Sequence, residues 1–252
     1  MRSTLMFNKI RNFIEYKRCE RSPVYFINHY LKYTDFEGKE ITIKLFDFQK
    51  KYIKSVQKNR LNLGAWSRQN GKTTTNVGIV IWNLIFKNNK TIVFYTCNQK
   101  MNREISRKIK EFLSFLPKWL VKDSDVLFYD NKLSVKNNTC FFMGPLVDIR
   151  TRTSTREVDF LVVDEFSSIM KDETHQITNL IDNLDNAKIS IISNLNPSNS
   201  HPFNQLFYKS KAGRNEFKTS RVYWHDNPER DLVWEKEMID RLGPLAFSQE
   251  YN

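Results

Sequence analysis

Residues 67–74 read Ser-Arg-Gln-Asn-Gly-Lys-Thr-Thr, and these side chains in this order suit a nucleoside triphosphate. Gly71 lets the backbone approach a ligand with no Cβ in the way. Lys72 offers an ammonium to β- and γ-phosphate oxygens, and the Thr73 hydroxyl stands where it can bind Mg2+. Thr74 extends the hydroxyl run. Backbone amides of Arg68, Gln69, Asn70, Gly71, Lys72 and Thr73, at the start of a helix, add an anion-binding dipole. The usual phosphate-loop pattern G-x-x-x-x-G-K-[ST] has a glycine at the position held here by Trp66.

A second constellation lies downstream. The run Phe160-Leu-Val-Val-Asp164-Glu165 is an apolar strand ending in two carboxylates. Beside a phosphate loop, Asp164 can hold Mg2+ through water and Glu165 can act as general base on an attacking water. The plainer alternative is a capped strand–loop junction. In LFDFQKKYI (45–53), the Gln49 amide can donate to and accept from an adenine edge, with Phe46 or Phe48 packing on the base. Glutamine is also common near helix starts. In SIISNLNP (190–197), Ser193 and Asn194 end a strand and can sense a γ-phosphate, or can simply form a turn before Pro197.

These residues need a scaffold. A helix is predicted from Phe46 to the turn at Lys58–Arg60, a strand at 61–66, and a helix from Lys72 to Phe86. TIVFYTC (91–97) reads as a buried strand. The helix over 100–116 has one apolar stripe, Met101, Ile105, Ile109, Phe112, Leu113 and Leu116. Its other face carries Lys100, Arg103, Arg107, Lys108 and Lys110, which make either a solvated face or a DNA-facing patch. Short strands are expected over 126–144, then strands at 159–165, 188–193 and 217–224, with helices near 169–184, 202–211 and 231–242. Alternating strands and helices predict an α/β fold, a mainly parallel central sheet in a three-layer sandwich. The strand at 91–97 lies between the two motifs in sequence. That suits the ASCE branch of P-loop NTPases, which has an extra strand between the motif strands and a catalytic glutamate. The expected divisions are a helical, peripheral segment at 1–45, an ATPase core at 46–225, and a small helical subdomain and hinge at 226–252.

Composition narrows the class. Of 252 residues, 40% are hydrophobic and 27% charged, enough for a real core. Forty Lys and Arg against 28 Asp and Glu give +12, which points to a polyanionic partner such as nucleic acid. Cys19, Cys97 and Cys140 are too few and too scattered for a disulfide framework or zinc site. VGIVIWNLIF (77–86) is too short to span a bilayer. A soluble intracellular protein is the expectation.

Taken together, WSRQNGKTT, FLVVDE, SIISN and FDFQK resemble the ATPase domain of the large terminase subunit of tailed bacteriophages. That family often carries a loop of the form S-R-Q-x-G-K-[ST]-T without the first glycine. Ser67, Arg68, Gln69, Gly71, Lys72, Thr73 and Thr74 match it position by position, with Asn70 at the variable place. Trp66 departs from the small residue often found there. SPVYFINHYLK (22–32) looks like the segment preceding the family's adenine motif, and AFSQEYN (246–252) like the hinge towards its nuclease.

The resemblance implies ATP and Mg2+ as ligands and a motor that moves double-stranded DNA into a capsid in the host cytoplasm. A portal protein, a small terminase subunit and a ring of identical subunits are the implied partners. Arg68 would offset charge on the transferring phosphoryl group, or shape the loop through a salt bridge. Ser193 and Asn194 would fall in the coupling motif, although S-N-L-N replaces its usual Thr/Ser-rich run. Arg150, Arg152 and Arg156 are candidates for a finger reaching a neighbouring subunit, for DNA contact, or for a solvated loop. With no residues beyond 252 to carry it, nuclease activity is not expected. Two rivals remain, a superfamily 2 helicase fragment and a non-hydrolysing nucleic-acid-binding module. Intact Lys72, Thr73, Asp164 and Glu165 argue against a decayed site.

Overall fold

The structure, a computed structural model, describes residues 2–144, 157–170 and 174–251. Two helices open it, α1 (Arg2–Arg21) and α2 (Pro23–Tyr30), followed by a short ribbon of β1 (Lys32–Thr34) and β2 (Glu40–Thr42). Then come α3 (Asp47–Lys58), β3 (Leu61–Trp66), α4 (Lys72–Phe86), β4 (Thr91–Tyr95) and α5 (Gln99–Ser114). A meander of β5 (Val126–Tyr129), β6 (Lys132–Val135) and β7 (Asn138–Met143) precedes β8 (Phe160–Asp164). The chain continues with α6 (Thr174–Asp182), β9 (Lys188–Ser193), α7 (Pro202–Lys211), β10 (Lys218–Val222), α8 (Leu232–Leu242) and α9 (Pro244–Tyr251).

Eight strands form one sheet in the order β10-β3-β9-β8-β4-β7-β6-β5. The first six run parallel, β6 runs antiparallel to β7, and β5 antiparallel to β6. Every residue of β3, β4 and β8 is buried, as strands covered on both faces require. On one face, α2, α3, α4 and α5 bury Phe26, Ile53, Ile81 and Ile109 with Phe94 and Val162 of the sheet. On the other, α6 and α7 bury Ile177, Phe203 and Phe207 with Leu63, Leu161 and Ile191. This is the expected α/β three-layer sandwich. A third cluster, Trp224, Met238, Phe247 and Tyr251, holds α8 and α9 as a small helical unit. Among the described residues, no helix is long and apolar enough to cross a membrane.

The extra strand expected between the motif strands is present, though 91–97 does not supply it. The strand separating β3 from β8 is β9; β4 lies beyond β8. Sequence order placed 91–97 between the motifs, but α4 is apolar nearly all round and lies across β9, β8 and β7. The crossover it makes therefore skips two places, and β9 fills one of them later. The β1–β2 ribbon was not foreseen either, because three-residue strands carry too little periodicity to read.

Trp66, the departure in the loop pattern, is the last residue of β3 and is fully buried. Its indole turns away from the loop, packing edge-on against Phe48 and Tyr52, and Nε1 donates to Ser220 Oγ (3.0 Å). Gly64, two residues earlier on the same face, makes the room: a Cβ there would lie 3.0 Å from Trp66 Nε1 and 3.3 Å from Ile192 Cγ2. Gly64→Val is therefore expected to cost about 1–3 kcal/mol through overpacking. It should lower the urea midpoint with an unchanged slope; an unchanged midpoint would show that the space is not needed.

Candidate active site

The carboxyl ends of β3, β9 and β8 lie side by side, so the loop after β3, Ser193 and the Asp164–Glu165 pair share one edge of the sheet. The loop turns through two left-handed residues, Gln69 (φ 59°) and Gly71 (φ 71°), before α4 begins at Lys72. The left-handed backbone at Gly71 favours glycine, and a Cβ there would also push on the amide end of the Gln49 side chain.

Lys72 is nearly buried. Its Nζ donates to the Trp66 carbonyl (3.4 Å) and lies 3.2 Å from Glu165 Oε1. Glu165 follows the last residue of β8 and takes a left-handed conformation (φ 55°, ψ 45°), costly for a residue other than glycine. Its amide donates to the Ile192 carbonyl (3.1 Å), which fixes that turn. Asp164, by contrast, points into the protein and is fully buried. Thr73 Oγ1 donates to its Oδ2 (2.6 Å) and Asn76 Nδ2 to its Oδ1 (3.0 Å). Burial pushes the Asp164 carboxyl up to about 6, with the Glu165 charge adding to it; Thr73, Lys72 and Asn76 oppose the rise.

A polar chain runs on behind Asp164. Ser190 Oγ donates to Asn76 Oδ1 (3.3 Å), and Tyr52 Oη lies 2.9 Å from Ser190 Oγ. Tyr52, Asn76 and Ser190 were not picked out from sequence. For Asn76 and Ser190 the signal was a polar atom in the apolar runs NVGIVIW and ISIIS, where an unpaired polar group is costly; Tyr52, in QKKYIKSVQ, carried none.

The remaining predicted residues take three kinds of place. Ser67 and Asn70 brace the loop from within: Asn70 Nδ2 donates to Ser67 Oγ (2.7 Å) and to the Tyr223 carbonyl (3.3 Å), and Asn227 Nδ2 donates to Asn70 Oδ1 (3.3 Å). Gln49 Nε2 donates to the Asn70 carbonyl (3.2 Å) and its Oε1 accepts from the Phe46 amide (2.8 Å), so half of each amide function is already used. Phe46 lines the same cavity as Gln49, while Phe48 packs on Trp66. Ser193 Oγ donates to Ser167 Oγ (2.8 Å) and accepts from the Ser167 amide (2.9 Å); Ser167 Oγ in turn donates to Asn194 Oδ1 (3.2 Å). The end of β9 is thus tied to the turn that follows Glu165.

Arg68 pairs with Glu250 of α9, and its amide donates to the Glu250 carbonyl (3.0 Å). Arg230, between β10 and α8, donates to the Arg68 and Gln69 carbonyls (3.3 and 3.0 Å) while lying 4.4 Å from the Trp234 ring centroid. The helical unit therefore grips the loop by two arginine contacts, of which sequence suggested one. Of the basic face of α5, Lys100, Arg103, Arg107 and Lys110 are exposed, but Lys108 turns inward and donates to Thr74 Oγ1 (2.8 Å). Burial pulls its pKa below the usual lysine range, with Asp164 and Glu111 opposing. Arg150, Arg152 and Arg156 lie outside the described residues.

Two cavities meet at the loop. One, of about 450 Å³, reaches from Arg68 and Lys72 to Glu165 and Ser168. The other, about 1170 Å³, continues past Thr73 and Thr74 to Gln49, Phe46 and Lys108. Among the described residues, no group of three or more His, Cys, Asp or Glu could hold a metal. Thr73 and Asp164 fit Mg2+ in another way: this ion commonly takes one or two protein oxygens and fills its shell with water and phosphate. A fully buried carboxylate facing a hydroxyl, with no cation among the described residues in direct contact, is a donor set of that kind.

No protein-family model matches the sequence. Solved structures do match. The HK97 bacteriophage large terminase superposes with a TM-score of 0.71 at 16% identity, over 92% of this chain and 54% of that one. The fold is that of phage large terminase ATPase domains. The large terminase ATPase domain of Thermus phage P74-26 gives a TM-score of 0.57 at 15% identity, over 79% of this chain and 91% of that one. A large terminase from another thermophilic bacteriophage, in complex with ATP-gamma-S, gives 0.56 at 16% identity, over 82% and 52%. The chain spans about half the length of the first and third of these proteins.

In this terminase-type fold the cost of Asp164 can be measured. A carboxyl whose pKa rises on folding favours the fold in its protonated form. The contribution is complete below pH 3.8 and is lost as pH rises through about 6. Asp164→Asn keeps an acceptor for Asn76 and reverses the other bond, its Nδ2 donating to Thr73 Oγ1. It is expected to stabilise the metal-free protein by roughly 2–3 kcal/mol at pH 7.5 and by little at pH 4. Denaturant titrations at the two pH values check this; equal effects at both would show that the charge carries no cost.

Proposed function

We propose that this chain is the ATPase motor domain of a viral large terminase, hydrolysing Mg-ATP to drive double-stranded DNA into a procapsid. The observation that carries the reading is the meeting of Lys72, Thr73 and Glu165 on the smaller cavity, with Asp164 buried behind Thr73, within a terminase-type fold. The reading is also supported by neighbours of the same fold described in complex with ADP and ATP-gamma-S.

The triphosphate lies over the loop, with its γ end towards Glu165 and its base in the larger cavity by Phe46 and Gln49. Thr73 and Asp164 would hold Mg2+, which would offset phosphate charge when bound. Lys72 must leave Glu165 to reach the β- and γ-oxygens. That exchange frees the Glu165 carboxylate to orient and deprotonate the attacking water. Arg68, drawn from Glu250, adds a second positive charge opposite the developing one. Loss of the γ-phosphate passes through the Ser167 bonds to Ser193 and Asn194, the coupling step towards DNA. The working motor is a ring of this subunit in the host cytoplasm, acting with a portal protein and a small terminase subunit. The net charge of +12 suits the DNA backbone.

Phosphate release from Mg-ATP, with and without double-stranded DNA, tests the proposal. Turnover is expected to rise with DNA. Glu165→Ala should lower it by at least about 100-fold while leaving ATP binding in place, and Lys72→Ala should weaken binding itself. A wild-type protein that neither binds nor hydrolyses ATP would end this reading.

A further inference from the structure

The larger cavity contains a cation that no loop or strand motif supplies. Lys108 comes from the third turn of α5, a helix whose other basic residues face solvent. It is half-buried, and its Nζ reaches across to Thr74 Oγ1 (2.8 Å), lining the cavity together with Gly71, Thr73 and Gln49. Among the described residues it makes no ion pair. The nearest carboxylates that act on it, Asp164 and Glu111, do so at longer range than a salt bridge. Among the described residues its Nζ has one hydrogen-bond partner, the Thr74 hydroxyl, and lies 5.9 Å from the Phe112 ring centroid, so N–H donors are left over beside an open cavity.

Position along the site sets what those donors would meet. Lys72 and Glu165 mark the γ end, in the smaller cavity. Phe46 and Gln49 mark the base end, in the larger one. Thr74, which lines both, stands between them, and so does the ammonium it holds. We propose that Lys108 is a second phosphate-binding lysine, contacting a non-bridging oxygen of the nucleotide's α-phosphate from α5, with Thr74 as its positioning partner. The assignment rests on the ATP reading above. It also removes Lys108 from the set of α5 side chains open to DNA.

Binding of ADP in EDTA, measured by displacement of a fluorescent ADP analogue, reads this contact without turnover or metal. Lys108→Gln keeps a donor for Thr74 and loses the charge. It is expected to weaken ADP by about tenfold, as loss of a charge-assisted hydrogen bond would, and Lys108→Arg should stay within about threefold of wild type. The two α-thio diastereomers of ADP give a readout that a purely structural lysine would not move. Wild type and Lys108→Arg should prefer one diastereomer, and Lys108→Gln should lose most of that preference. Lys108→Met serves as a second charge-free variant should Lys108→Gln melt early. ADP binding within twofold of wild type in either folded charge-free variant overturns the assignment while leaving the ATP reading intact. Failure of the wild type to bind any adenine nucleotide overturns both.

Discussion

Two carboxylates adjacent in sequence must do different things at the end of one strand. Strand geometry sends neighbouring side chains to opposite sides. Here Asp164 goes inward, to a place with no water, and Glu165 goes outward to Lys72. The left-handed backbone at Glu165 sets its direction, and the Ile192 carbonyl on β9 holds that turn. Much of the site follows from this split. Asp164 needs Thr73 and Asn76 because a buried charge without hydrogen bonds is prohibitive. Even with them, desolvation outweighs the stabilising bonds and the carboxyl stays raised. Lys72 needs Glu165 because a nearly buried ammonium needs a partner. The resulting arrangement is one in which an added cation and an added polyanion would both relieve existing costs.

The loop itself is held from three directions, and each hold comes from a different layer. From α3, Gln49 secures the Asn70 carbonyl. From below, Trp66 fills the space that Gly64 leaves, so the end of β3 cannot shift without disturbing Phe48 and Tyr52. From the small helical unit, Arg230 and Glu250 take the carbonyls and the guanidinium at the loop's start. Arg230 lies against Trp234 within the aromatic cluster of α8 and α9, so the loop and that unit share one set of contacts. A change at Arg68 is therefore felt by the element that follows the core in the chain.

Much of this was legible in the sequence because it depends on local pattern. The 61–66 strand, the 72–86 helix and the 188–193 strand match their predicted bounds, since apolar periodicity and the glycine before Lys72 fix them. Lys72, Thr73, Asp164 and Glu165 were singled out by residue type at the ends of strands, and the fold brings them together. What was not legible depends on contacts between distant elements. Nothing in TIVFYTC says that β9 will slip between it and β3. Nothing in the spacing of α5 separates Lys108 from Arg107, since both belong to its basic face until Thr74 is placed beneath one of them. Gln49 looked like a ligand contact because its amide suits a base, and Asn70 because its backbone amide lies in the loop; the partners of their side chains inside the protein, Phe46 and Ser67 among them, can be known only from the packing.

The central claim is that the Lys72–Glu165 pair occupies the place of the triphosphate and yields to it. A crystal structure of this chain with Mg2+ and ATP-gamma-S tests it most directly. The account predicts Lys72 Nζ on β- and γ-phosphate oxygens, Glu165 released towards a water, and Thr73 and Asp164 both turned to the metal. A nucleotide bound with the Lys72–Glu165 pair and the Thr73–Asp164 bond both unchanged would contradict it.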